Sequence, residues 1–250
     1  MSDAGPPPSD RTDDDVSGAV AWAQEHCVNG SMRSWIDLDS KATGGIEGML
    51  WTACLILLRH LETASPRGWW QGKRVLELGS GSGHLAVGLS KLGASVVATE
   101  SSIAQAGAGY TAMVAWTTYL QQQRASDAGF DGGSVEFRGL HWATDVDPSL
   151  WQGFDVVVLS ELYYDPEMHE VLLHTLRSVL TPGAVAYSIF CDRPFSMEFL
   201  MRLDDDGSFE VEPIEPAEVF SLHEDEELLT HKITRRTVTQ ATEPAWPGEG

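Results

Sequence analysis

Between Val75 and His84 the chain reads Val-Leu-Glu-Leu-Gly-Ser-Gly-Ser-Gly-His, with glycines at 79, 81 and 83. A short apolar run enters this stretch and a helical pattern leaves it, so the glycines fall where a strand turns into a helix. Glycine suits such a turn because the backbone bends tightly and a ligand must approach without Cβ atoms in the way. Glu100 closes the next apolar run, 21 positions after Gly79 (100 − 79). An acid at that spacing reaches the two hydroxyls of a nucleoside ribose. A glycine turn with a distant acid also describes a dinucleotide dehydrogenase. Two details favour S-adenosylmethionine instead. The spacing is G-x-G-x-G, not the G-x-G-x-x-G that suits a pyrophosphate. Glu77, ahead of the turn, offers an acceptor to a cationic amino-acid end and would repel a pyrophosphate. No Tyr-x-x-x-Lys pair of the short-chain dehydrogenase kind occurs.

These residues need a sheet to hold them. Residues 74–79, 95–100, 134–138, 154–160 and 184–191 read as five strands. The nearly unbroken apolar run of 154–160 suits a strand covered on both faces. Helical spacing fills 49–61, 83–92, 103–124, 166–180 and 195–203, with Asp165 placed to cap the fourth of these and Thr181-Pro182-Gly183 to stop it. Strands from 209–211 and 231–238 close the pattern. Alternating strands and helices followed by a terminal strand pair imply an α/β fold. It is a doubly wound, mostly parallel, seven-stranded Rossmann-like sheet with helices on both faces. Residues 1–15 read as a disordered tail, 16–240 as one domain with an N-terminal helical preamble, and 241–250 as a loose end.

Composition narrows the function. Three widely spaced cysteines (Cys27, Cys54, Cys191) fit neither a disulfide framework nor a cysteine zinc site. No secretory signal is legible, and a cytoplasmic location is expected, with the nucleus also open. The formal charge of −21 disfavours nucleic acid and would attract a basic protein segment, although charge reports solubility as readily as recognition. Residues 203–228 hold eleven Asp or Glu and no Lys or Arg, a candidate docking surface or a solvated loop. No P-loop, no H-x-x-x-H pair and no Asn-Pro-Pro-Tyr type motif is present, so no metal and no membrane or nucleic-acid partner is assigned. Cys191 reads as a small buried hydrophobe.

Three further motifs complete a family pattern: Gly48-Met-Leu-Trp-Thr-Ala53, Leu140-His-Trp142 and Ser160-Glu-Leu-Tyr-Tyr-Asp-Pro166. With the glycine turn they make the chain resemble methyltransferase family 16, the methyltransferase-like 21 type of protein lysine methyltransferases, over roughly residues 30–240. The resemblance implies that Trp51 and Trp142 contact the cofactor. It implies that Gly79, Gly81 and Glu100 hold its amino-acid end and ribose, and that Ser160 lines the site; Gly83 and Glu77 are assigned to the cofactor from the turn itself. Glu161 and Tyr164 would face the incoming lysine. Glu161 stands where the family usually has Asp, and His141 replaces another usual Asp. The Asn-rich stretch common after the second strand is missing, with Gln121-Gln-Gln-Arg124 near its place.

Methyl transfer from a sulfonium needs no metal and no covalent intermediate, so positioning is the main catalytic task. The acceptor must be a neutral amine, and a carboxylate nearby favours the ammonium. Glu161 is therefore expected to capture and align the amine, not to act as a strong base. The competing expectations are a methyltransferase for a small molecule or another protein residue, and a non-catalytic binding module of the same fold.

Overall fold

The computed structural model describes residues 52–236 except 82, 102–131, 143, 145, 148, 150, 194 and 216–227. Trp51, the expected helix at 103–124 and both expected tails lie outside the described residues.

Helix α1 (Thr52–Ala64) leads into β1 (Arg74–Leu78), α2 (His84–Lys91), β2 (Ser95–Glu100), β3 (Ser134–Gly139) and β4 (Val156–Ser160). A 3-10 turn (Pro166–Met168), α3 (His169–Val179), β5 (Val185–Cys191), α4 (Ser196–Asp206), β6 (Phe209–Pro213) and β7 (Leu228–Arg235) follow. The strands form one seven-stranded sheet in the order β3-β2-β1-β4-β5-β7-β6. Strands β1 to β5 are parallel, while β7 runs antiparallel to both β5 and β6.

Burial on both faces explains the continuous apolar strands. In β4 the side chains of Val156 and Val158 join α1 and α2 on one face, and those of Val157 and Leu159 join α3 and α4 on the other. Gly88 lets α2 sit close on α1, since a Cβ there would stand 2.2 Å from Leu58 Cδ2.

Several bounds shift by up to three residues from the sequence reading, and two differences bear on an element's character or pairing. The helix expected over 166–180 opens as a 3-10 turn before α3. Asp165 does cap it, accepting from the Glu167 N–H at 3.0 Å, and Pro166 takes the first position after the cap, where its fixed φ is tolerated. The last strand begins at Leu228 and not at 231, because its pairing with β5 starts at Cys191 against Leu228. Periodicity marks the apolar residues, and only the partner strand sets where the ladder ends.

The order reverses direction at β1 and β4. Chain crossovers leave to opposite sides there, which opens a crevice at the carboxyl ends of these strands.

Candidate active site

The glycine turn follows β1 at this crevice. Gly79, Gly81 and Gly83 all have positive φ (61°, 49° and 74°), a region that a side chain disfavours. The turn is also packed from below, for a Cβ on Gly79 would stand 2.6 Å from Leu162 Cδ2. Backbone bonds tie it to the neighbouring strand: the Ser80 N–H donates to Thr99 O (2.8 Å), and the Thr99 hydroxyl to Glu77 O (2.7 Å). Glu100, at the end of β2, lies over the turn, where its Oε2 accepts from the Gly81 N–H (3.1 Å) and its Oε1 from the Ser101 N–H (2.8 Å). The structure thus joins the turn and the acid that the sequence set 21 residues apart.

Glu77 is 3% exposed. Its carboxyl is pushed up to about 8, first by burial and then by the nearby charge of Glu100, against a pull from the Ala86 N–H in the first turn of α2. Its Oε2 has no hydrogen-bond partner. A buried acceptor in this condition costs free energy unless a donor arrives. The ammonium of a ligand's amino-acid end is such a donor, and it would restore the ionised carboxylate. Two arms of the crevice therefore fit the nucleoside and amino-acid ends of S-adenosylmethionine. Nearby, His84 opens α2 and is pushed down to about 4 by burial, so its imidazole adds no positive charge there near neutral pH.

Across the crevice, β4 ends in Ser160, whose buried Oγ is also without a partner. The next residue, Glu161, has φ +56°, an unusual conformation for a residue with a Cβ. Strain of this kind persists only where surroundings enforce it. Here they do: the Glu161 N–H donates to Ile189 O (2.9 Å), and its Oε1 accepts from the Cys191 N–H (3.1 Å). Oε2 pairs with Arg193 Nη1 at 3.3 Å. Leu162 and Tyr163 then turn inward and anchor the loop, with Tyr163 packed against Phe190 (4.8 Å) and Phe199 (4.4 Å). Tyr164 turns outward and is 58% exposed.

Among the other expected residues, Trp142 is half-buried and packs on the core cluster beneath α3 and α4, while His141 is exposed. Cys191 is buried, as a small hydrophobe would be. Arg193, Thr99 and Leu162 were not singled out by sequence. Each acts through a partner at least 22 positions away, and only the Gly-Glu spacing signalled such a pairing.

A doubly wound sheet with this strand order, a ligand-ready glycine turn and two opposed acids defines an S-adenosylmethionine-dependent methyltransferase. The lysine methyltransferase family model matches residues 32–205. The chain is 24% identical over 195 residues to a protein N-terminal and lysine N-methyltransferase of Yarrowia lipolytica, covering 72% of this chain and 71% of that one. It is 28% identical over 147 residues to a protein N-lysine methyltransferase of Danio rerio (59% of this chain, 61% of that one). To a calmodulin-lysine N-methyltransferase of Arabidopsis thaliana it is 29% identical over 136 residues (53% and 42%). The chain spans less than two thirds of the length of these last two. It belongs to the lysine methyltransferase family, and S-adenosylmethionine is its methyl donor.

Proposed function

We propose that this chain methylates the side-chain amine of a lysine carried by a basic segment of another protein. The observation that carries the reading is Glu161, a carboxylate held at the end of β4 by a strained backbone and two contacts from the end of β5. The relatives are named for protein acceptors, and this agrees with it.

When bound, S-adenosylmethionine supplies an electrophilic methyl carbon whose bond to sulfur breaks with both electrons left on sulfur. Glu77 would hold its amino-acid end, Glu100 its ribose, and the glycine turn would admit both, with Trp51, Trp142 and Ser160 completing the pocket. The chain's remaining task is to present a neutral amine. With a lysine pKa near 10.4, proton loss at pH 7 costs about 4–5 kcal/mol, and the proton passes to water. Glu161 would align the amine through a charge-assisted hydrogen bond. Tyr164 would bound its path. The exposed apolar side chains Phe195, Met197 and Met201, on the loop and helix beyond β5, would cover the apolar residues of the acceptor segment. A cytoplasmic site of action, or a nuclear one, suits such a partner.

Labelled methyl transfer to cell lysate proteins, with mass spectrometry of the modified residue, tests the acceptor class. Label on lysine is expected; label confined to small molecules or to other residues would end the proposal. Glu161→Ala should then lose at least about tenfold in kcat, about 1.4 kcal/mol of transition-state stabilisation, with cofactor affinity little changed. Glu161→Asp, with a shorter reach, should fall between. A wild-type rate in the alanine variant would leave Glu161 as a structural acid only.

A further inference from the structure

A buried carboxyl can meet a cationic ligand as an anion already formed, or as an acid that must first give up its proton. We propose that Glu77 is an exchange site: it holds a proton until the cofactor's amino-acid end docks, then releases that proton to solvent and takes the ammonium in its place. Recognition by exchange anchors nucleosides that carry a cationic amine and gives neutral nucleosides no such hold. The inference concerns the methyl donor and does not depend on which acceptor is methylated.

The packing around Glu77 supports it. The residue is 3% exposed, so water does not solvate a charge there. Its Oε2 meets no donor in the fold, and the pull of the Ala86 N–H is weaker than the effect of burial. The backbone donors of the turn go to the other acid of the crevice: the Gly81 and Ser101 N–H groups donate to Glu100 at 3.1 and 2.8 Å. The charged neighbours do not stand in for the proton. Glu77 shares its face of β1 with Val75, which packs with α1 and α2. On α2, burial keeps His84 neutral near pH 7, and Lys91 lies in the last turn, at the far end of the helix. On α1, besides Cys54, Arg59 pairs with Glu62 at 3.0 Å and His60 is pushed down by burial. Beyond β4 stand Glu161 and Arg193, themselves 3.3 Å apart. Among the described residues the charge that acts on Glu77 is that of Glu100, and it disfavours a second anion.

The sign of the pH dependence follows. The anion binds the ammonium, while the free protein holds the acid up to about pH 8. Cofactor affinity should therefore rise about tenfold per pH unit as pH climbs towards that value. Calorimetry on the full chain reads the exchange without turnover, because a released proton is taken up by the buffer and adds that buffer's ionisation heat. The probe is S-adenosylhomocysteine, which keeps the amino-acid end and lacks the sulfonium charge. Methylthioadenosine, which lacks the amino-acid end, is the comparison. Near about pH 6.5 the α-amine of the probe is still an ammonium. Wild type is expected to release close to one proton on binding S-adenosylhomocysteine. With methylthioadenosine it should release almost none, or show no measurable binding. Glu77→Gln should bind the probe more weakly, without proton release, and with an affinity that is flat between about pH 5.5 and 7.5. Glu77→Asp should keep the release with weaker binding.

No release by wild type in buffers of different ionisation heat, or equal release with the two ligands, overturns the inference. So does undiminished release in Glu77→Gln. The comparison of ligands on the wild-type chain decides the matter even if no variant folds. Any of these failures leaves the proposed function standing, since that is read by label on lysine and not by calorimetry.

Discussion

Glu77 shows a single residue serving two states with opposite requirements. Without ligand its carboxyl is buried with one oxygen unmet, and its pKa is pushed up to about 8. The folded state then holds the proton more tightly than the unfolded chain does. Below the unfolded value of 4.5 both states are protonated and nothing is lost; stability falls as pH rises from there to about 8, and the loss is complete above it. Glu77→Gln removes this loss. It should raise the stability of the ligand-free protein above pH 8 by on the order of a few kcal/mol, while leaving it nearly unchanged near pH 4. The same substitution should weaken S-adenosylmethionine binding, because the amide cannot meet the ammonium as a carboxylate does. Thermal unfolding at the two pH values and calorimetry at pH 7 check both halves. A variant that gains no stability at high pH, or that binds the cofactor as tightly as wild type, would refute the dual role.

The working parts of the site lie at the junctions of elements, where β1 meets α2 and where β4 and β5 end. One contact couples two of these junctions: the turn at Gly79 rests on Leu162, the second residue after β4. Gly79→Ala must place a Cβ 2.6 Å from Leu162 Cδ2 and hold φ near +61°. Crowding is expected to cost about 1–3 kcal/mol and the positive φ about 1 more. Leu162→Ala alone should cost about 2–5 kcal/mol through the cavity it leaves. Together the two should cost less than their sum by at least about 0.5 kcal/mol, since the shortened side chain makes room for the new methyl. Urea unfolding of the four proteins measures this. Strict additivity would mean that the turn and the β4 loop do not bear on each other. Cofactor affinity should recover only in part in the double variant, because the strained φ remains.

Over the whole molecule the formal charge of −21 acts as a field, and the fold redistributes it. Part of the acidic stretch at 203–228 is engaged from neighbouring elements: Asp206 accepts from Arg177 Nε at 2.9 Å, Glu212 pairs with Lys232 at 2.8 Å, and Asp204 with Arg236 at 3.6 Å. The Lys232 and Arg236 pairs are exposed and of small energy, while Asp206 is largely covered, and all three lower the local charge that an approaching partner meets. Eight acids of the stretch (11 − 3) remain; Asp205 and the consecutive Glu224, Asp225, Glu226 and Glu227, the last four outside the described residues, are the ones to test for steering of a basic partner. Neutralising these five should raise KM for the protein acceptor severalfold at low salt and leave kcat unaltered, since rim charges act on encounter more than on chemistry. The difference should vanish near 0.5 M salt, where screening reaches only about 4–5 Å. KM measured across a salt series checks this, and a KM that does not respond at low salt would make the stretch a solvated surface. Tight binding of RNA by the wild-type chain would displace the protein partner altogether.

What the sequence determined by itself is local or periodic. Strand β2 was legible to the residue at Ser95–Glu100, because a short continuous apolar run bounded by polar residues is written in consecutive positions. The glycine turn was legible because its requirement for positive φ and bare backbone is met by glycine alone at each of three positions. Glu77 and Glu100 followed from their fixed distance to that turn. The tertiary structure decided what depends on partners far along the chain. The insertion of β7 between β5 and β6, the unmet oxygen of Glu77 and the seating of Gly79 on Leu162 carry no mark in local composition. Arg193 is the clearest instance. It lies 32 positions from Glu161 (193 − 161), and the two meet only because β4 and β5 pair in a register that sets Ser160 against Ile189. A charge pair closed across two strands is a property of that register, and register is settled by the packing of both faces of the sheet.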